Sequence, residues 1–210
     1  MAFNFENSKN VFLSKKDKSD KQSWDEKIAK LCKEINNKKN YFTTSSCSGR
    51  IVLIIEENKK KPNLFLFRTH DKIKFSELKK ELRKICKDNY NNRKNLKNKL
   101  RNKINLKNKT IYFKQEPCIL VVSCRNKESQ WKLFNLTRNN GWKKSGILTL
   151  DKKFLIELMS TENISFPVCN KSRVLVDDDF LKIIVKKANN NLERGWGKIE
   201  RLKKLILLIR

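Results

Sequence analysis

The sequence predicts an α+β fold: a mixed or antiparallel sheet of hairpins, helices packed on it, and a helical C-terminus. Three observations carry this. Short apolar runs of strand length alternate with segments whose apolar residues recur at helical spacing. Neighbouring strands lie close enough in sequence to pair as hairpins between the helices. No Gly-x-Gly-x-x-Gly follows a strand, and Gly195-Trp196-Gly197 falls between helical segments, so a doubly wound nucleotide-binding sheet is not indicated.

Taken in order, Ser23-Trp24-Asp25-Glu26 reads as a capping box with Ser23 at the cap. Trp24, Ile28, Leu31, Cys32 and Ile35 follow at helical spacing, and the helix should end near Asn36-Asn37. Arg50 to Glu57 is apolar on both faces, as in a central strand of a covered sheet. Asn58 to Asn63 reads as a hairpin loop and Leu64 to Arg68 as its second strand. Thr69-His70-Asp71 leads to a helix from about Phe75 to Asp88, with Phe75, Leu78, Leu82, Ile85 and Cys86 on its buried stripe. Thr110 to Lys114 and Cys118 to Ser123 are strands joined at Gln115-Glu116-Pro117. A helix from about Lys127 to Asn140 turns Trp131 and Phe134 inward and is closed by Gly141. Ser145 to Leu150 and Lys153 to Met159 form a hairpin, and Arg173 to Val176 is a short strand. Asp177 caps a helix with Phe180, Leu181, Ile184, Ala188 and Leu192 inside; Gly195-Trp196-Gly197 interrupts it before a last helix.

The 210 residues fit one large domain or two small ones, and we read a single domain over 1–210. Lys and Arg number 50 against 22 Asp and Glu, for a formal net charge of +28. Charge this large favours a polyanionic partner, and nucleic acid fits because each neutralised phosphate releases condensed counterions. An AT-rich coding bias toward Lys and Asn would produce part of the same excess. The densest stretch is about 89–109: from Lys87 to Lys109 nine Lys or Arg face one acid, Asp88. It reads equally as a basic amphipathic helix or a loop. The six cysteines form no Cys-x-x-Cys pair and His70 is the only histidine, so a structural zinc site is not indicated by spacing. With no signal segment and no long apolar run, the expected setting is the reducing cytoplasm, with no membrane, no metal and a monomeric state.

Thr43-Thr44-Ser45-Ser46-Cys47-Ser48-Gly49-Arg50 is the least ordinary stretch. It buries little, offers close-spaced hydrogen-bonding groups and one fixed positive charge, and reads as a polar binding loop or a Ser/Thr turn. Other polar clusters fall at strand ends: His70; Lys114, Glu116 and Pro117; Cys124-Arg125; Ser145-Gly146; and Ser160-Thr161-Glu162. Sheet scaffolds commonly hold sites there.

Together these segments, with Asp17-Lys18-Ser19, Trp24-Asp25-Glu26, Phe113-Lys114-Gln115-Glu116-Pro117-Cys118-Ile119-Leu120, Pro167-Val168, Leu175-Val176 and Ala188-Asn189, resemble the wybutosine-synthesis tRNA methyltransferase family, the third enzyme of that pathway. The resemblance spans roughly Asp17 to Leu205. It departs at Val121, where the family often carries a second histidine, and the stretch 89–109 looks like an insertion. The resemblance implies S-adenosylmethionine-dependent N-methylation of the 4-demethylwyosine-type base at position 37, in the anticodon loop of phenylalanine tRNA. Methyl transfer is an in-line displacement, so the protein must align donor and acceptor and remove one proton. His70 is then the candidate general base or acceptor-orienting group. Arg50 would pair with a phosphate or with the carboxylate of the substrate's amino-acid arm, or else form a salt bridge at the strand start. Ser45 and Ser46 would bond the base or their own loop, and Gly49 would permit a conformation or approach that a Cβ blocks. Lys114 and Glu116 would line the same pocket or form a cross-strand pair. Ser145, Gly146 and Ser160 are candidates for the donor site. Cys47 is expected to be packed, not nucleophilic, since N-methylation needs no covalent enzyme intermediate. Tyr41 and Trp142 could stack on a base or lie in the core. The alternatives are a non-catalytic basic RNA-binding protein and a redox sensor built on the thiols.

Overall fold

A computed structural model of the chain describes residues 4–14, 25–55, 57, 64–91, 109–151, 153–171 and 173–209. In chain order the elements are α1 (Phe5–Leu13), α2 (Glu26–Asn36), β1 (Tyr41–Cys47), β2 (Arg50–Ile55), β3 (Phe65–Thr69), α3 (Phe75–Asn91), β4 (Thr110–Glu116), β5 (Ile119–Cys124), α4 (Lys127–Asn139), β6 (Gly146–Thr149), β7 (Phe154–Met159), β8 (Ile164–Asn170), β9 (Arg173–Val174) and α5 (Asp178–Leu207). The α+β class, the antiparallel sheets and the helical C-terminus match expectation. No helix among the described residues is long and apolar enough to cross a membrane.

The residues fall into two compact units: 1–49, 117–162 and 193–210 in the first, and 50–116 and 163–192 in the second. The chain therefore changes unit at 49/50, 116/117, 162/163 and 192/193. The first unit holds a four-stranded sheet of order β1-β5-β7-β6, with every pairing antiparallel. Its core gathers Ile28, Leu31 and Ile35 of α2, Leu120 and Val122 of β5, Ile156 and Leu158 of β7, and Ile199, Leu202 and Ile206 of α5. The second unit holds a five-stranded antiparallel sheet of order β3-β2-β4-β8-β9. Ile51, Leu53 and Ile55 of β2, Ile111 and Phe113 of β4, and Leu78 and Leu82 of α3 are buried there.

Several local expectations change. The Thr/Ser octet is not a loop: its first five residues lie in β1, which pairs antiparallel with β5 and bulges between Thr43 and Ser45. The ladder satisfies the backbone, and an edge strand tolerates a polar outer face, so side-chain polarity alone misreads it. Strand β8 carries Pro167 and is not anticipated from the sequence; its ladder with β4 shifts register between Ile111 and Tyr112, beside the proline. Strands β4 and β5, joined at Pro117, belong to different sheets. The Gly195-Trp196-Gly197 break does not occur, and α5 runs through it for 30 residues. Isolated glycines cost a helix only about 1 kcal/mol each, which packing outweighs. A Cβ on Gly195 would lie 2.7 Å from the Cys118 sulfur, so the sequence carries glycine there for close approach. Trp131 and Phe180, expected inside, are 41% and 39% exposed; Leu133 takes the inward position in α4, while Leu181 is buried in α5 as expected. Gly141 closes α4 as expected, at φ 97°. The predicted cap Ser23, the Asn58–Asn63 loop, Asp17-Lys18-Ser19 and 92–108 of the basic stretch lie outside the described residues.

Candidate active site

In the first unit the end of β1 is tied down by Asp25. This residue, not Ser23, caps α2: its Oδ1 accepts from the Lys27 N–H at 3.2 Å. Its Oδ2 accepts the Ser48 N–H at 2.8 Å, reaching 23 residues along the chain. Gly49 follows at φ 92°, in the left-handed region that favours glycine. The Cys118 thiol donates to the Ser48 carbonyl at 3.0 Å, and the Cys118 N–H donates to Ser160 Oγ at 3.1 Å. The Ser160 N–H returns a bond to the Cys118 carbonyl at 3.1 Å. Residues at the ends of β1, β5 and β7 are thereby laced into one polar cluster. Four donors in this unit, the Ser48 and Ser123 hydroxyls and the Trp142 and Trp196 indole N–H groups, are buried without a hydrogen-bond partner among the described residues.

Glu162 pairs with Lys198 of α5. Burial pushes the Glu162 carboxyl up, but hydrogen bonding and attraction from Lys198, with help from Ser160, outweigh it and hold the group below the usual carboxylate range. Ser45 is exposed, whereas Ser46 is half-buried and its hydroxyl bonds the Cys32 thiol. Cys47 is half-buried in β1. Ser145 is buried with its hydroxyl spoken for: it donates to the Trp142 carbonyl at 2.6 Å and accepts the Met159 N–H at 3.1 Å. Beside it, a Cβ on Gly146 would meet nothing within 4 Å, so this backbone is open to close approach. Tyr41 and Trp142 are both buried, which assigns them to the core and not to stacking on a base. Burial also pushes the thiols of Cys32, Cys118 and Cys124 up to about 12, far from nucleophilic use near neutrality.

In the second unit Arg50 and Glu116 are register partners across β2 and β4, and the Arg50 Nε–H donates to the Glu116 carboxylate. The guanidinium also sits 4.9 Å from the Phe65 ring centre, so its plane is fixed from two directions. Lys114 lies two residues from Glu116, on the same face of β4, with its ammonium 5.4 Å from the Tyr112 ring centre. Gln115 faces the other way, is buried, and accepts a bond from Asn191 Nδ2 at 2.8 Å. His70 occupies the bend after β3 and is half-buried. Its loop is anchored on both sides. Thr69 Oγ1 accepts the Asp71 N–H at 3.0 Å. Asn189 of α5 accepts the Ile73 N–H at 3.0 Å and donates to the Ile73 carbonyl at 2.9 Å.

The structure thus places Ser45, Ser46, Gly49, Ser145, Gly146 and Ser160 in the first unit, and Arg50, His70, Lys114 and Glu116 in the second. Arg50 and Glu116, drawn separately from the sequence, are one pair. Asp25, Asn189, Asn191 and Lys198 hold the site segments and were not singled out as site residues. Asp25 and Asn189 stood in the matched motifs, but nothing local says that their side chains reach backbone groups 23 and 116 residues away.

The family described as Methyltransferase TYW3 matches residues 7–207. The tRNA wybutosine-synthesizing protein 3 homolog of Danio rerio is 32% identical over 203 residues, which cover 94% of this chain and 72% of that protein. A Pyrococcus furiosus protein named tRNA(Phe) 7-((3-amino-3-carboxypropyl)-4-demethylwyosine(37)-N(4))-methyltransferase 2 is 30% identical over 181 residues, covering 85% of this chain and 78% of its own length. Among solved structures, the PH1069 protein of Pyrococcus horikoshii superposes with a TM-score of 0.78 at 29% identity, covering 97% of this chain and 94% of that one.

Proposed function

This chain belongs to the Methyltransferase TYW3 family, and on that premise we propose that it methylates the N4 position of a 4-demethylwyosine-type base at position 37 of tRNA(Phe), in wybutosine biosynthesis. The observation that carries the reading is the match over almost the whole chain, to a family and to relatives that bear this activity in their names. S-adenosylmethionine is the methyl donor in this reading. It supplies an electrophilic methyl group on a sulfonium, and the methyl leaves with the acceptor nitrogen's lone pair while the sulfonium becomes a neutral thioether.

The chain's own residues have three tasks. The first is recognition of the acceptor. Arg50, held in plane by Glu116 and Phe65, suits a bidentate anion such as the carboxylate of an aminocarboxypropyl arm. Lys114, on the same face of β4, adds charge. The second is proton removal. His70, the imidazole on a loop clamped by Asn189, is the group that takes the proton the acceptor nitrogen sheds. The third is seating the donor. The candidates for this seat are the open backbone at Gly146 and the Ser160 hydroxyl, with unmet hydrogen-bond donors at Ser48 and Trp196; Ser145, its hydroxyl committed to Trp142 and Met159, fixes the chain beside Gly146. The basic stretch 89–109 adds phosphate attraction along the anticodon arm.

The test is mass spectrometry of the nucleoside at position 37 after incubating undermodified tRNA(Phe) with the protein and methyl-labelled S-adenosylmethionine. A gain of one labelled methyl on the tricyclic base is expected. No label on that nucleoside overturns the reading and leaves the basic RNA-binding alternative. A saturating donor should also raise the melting temperature by mass action on the folded state.

A further inference from the structure

Two of the six thiols stand apart from the others. Cys86 lies on α3 and Cys169 on β8, 83 positions apart in the chain, and their sulfurs are 3.4 Å apart within the second unit. Cys169 is fully buried, whereas Cys86 is half-buried and so within reach of a small oxidant. Neither belongs to the residues assigned to the methyl-transfer reaction. We propose that Cys86 and Cys169 form a reversible dithiol–disulfide couple, an oxidative modification site that pins α3 to β8.

The order of events follows from exposure and acidity. The hydrogen bond from Cys169 holds the Cys86 thiol below its ordinary value despite burial, so Cys86 is the better thiolate. The thiols of Cys32, Cys118 and Cys124 are pushed the opposite way, to about 12. With a hydroperoxide as oxidant, the Cys86 thiolate attacks the O–O bond and becomes a sulfenic acid, releasing hydroxide. The Cys169 sulfur then displaces the hydroxyl as water, forming the S–S bond. In sum two thiols and one hydrogen peroxide give one disulfide and two waters. The sulfurs must close from contact distance to about 2.05 Å, a movement that side-chain rotation on a half-buried helix position can supply. The cross-link ties a helix to an inner strand of the sheet, and α3 is the helix from which the basic stretch 89–109 departs.

The experiment treats the reduced full-length chain with stoichiometric hydrogen peroxide, blocks remaining thiols with iodoacetamide in urea, and maps the digest by mass spectrometry. The expected product is a peptide pair joined through Cys86 and Cys169, two hydrogens lighter than the separate peptides and restored by dithiothreitol. C86S should abolish it; C47S should leave it intact. Because the wild-type digest needs no variant, a poorly folding C169S would not obscure the outcome. Amide exchange in the second half of α3 should slow on oxidation. Cys86 recovered as sulfinic acid with Cys169 still alkylated, or Cys86 joined to a different cysteine, overturns the proposal.

Discussion

In the proposed reading, three side chains decide most of what the site can do. In that reading the acceptor's proton goes to His70, the only imidazole in the chain. His70→Ala is expected to lower turnover by about 10²- to 10⁴-fold, the span of general-base catalysis, with the Kd for tRNA unchanged; parallel loss of binding in a filter assay would give the residue a structural role instead. Arg50→Lys keeps the charge but loses the planar fork, so KM for a substrate with a carboxylate arm should rise more than KM for one without it. Asp25 acts through structure. Asp25→Ala removes the α2 cap and leaves the Ser48 N–H without its acceptor, together worth roughly 2–3 kcal/mol in urea unfolding. Asp25→Asn should fall between, since asparagine still caps but offers one acceptor oxygen fewer; an Asn variant as stable as wild type would contradict the second bond. The sequence makes His70 visible because it is the only imidazole, and Arg50 because it closes the Thr/Ser octet just before an apolar strand. Asp25 stayed unread as a site residue because a cap oxygen looks the same whether or not its twin reaches elsewhere.

At the scale of elements, α5 gives the sharpest contrast between neighbours. Gly195→Ala forces a methyl against the Cys118 sulfur, while a methyl at Gly197 meets nothing within 4 Å. Both gain about 1 kcal/mol of helix propensity, but overpacking costs about 1–3 kcal/mol, so Gly197→Ala should stabilise and Gly195→Ala should not. Combining Gly195→Ala with Cys118→Ala should recover the loss; chemical denaturation of the four proteins reads this directly. The core thiols set an alkaline limit. Cys32, Cys118 and Cys124 titrate near 12 in the fold against an ordinary 9.0, because burial disfavours the thiolate. A raised folded value means that the native state holds its protons longer than the unfolded chain. The stabilisation is then complete below pH 9 and lost as pH climbs toward 12, at about 1.4 kcal/mol per unit for each thiol. Urea midpoints between pH 8.5 and 11 should fall accordingly, and Cys124→Ala should flatten the slope. Most helices and strands were legible from periodicity. Strand β8 was not, because Pro167 disguises it, and β1 was not, because ladder pairing with β5 overrides the weak strand signal of a Ser/Thr run.

For the whole molecule, the net charge of +28 predicts tRNA binding that weakens steeply with salt. Reversing charges within 89–109 should reduce the slope of log K against log salt by roughly 0.7–0.9 per phosphate contact removed; an unchanged slope would confine that stretch to a solvated surface. By itself the sequence determined the fold class, the balance of charge, the positions of most elements and the family resemblance. These depend on local periodicity, composition and motif spacing, all written in chain order. Only the tertiary structure decided the partners: that β4 and β5 part into different sheets, that α5 runs unbroken through two glycines, that Arg50 meets Glu116, that Asp25 reaches Ser48, and that Cys86 faces Cys169. The reason is physical. A hydrogen bond or sulfur contact between residues 23 to 83 positions apart leaves no periodic trace, since either partner alone satisfies every local rule.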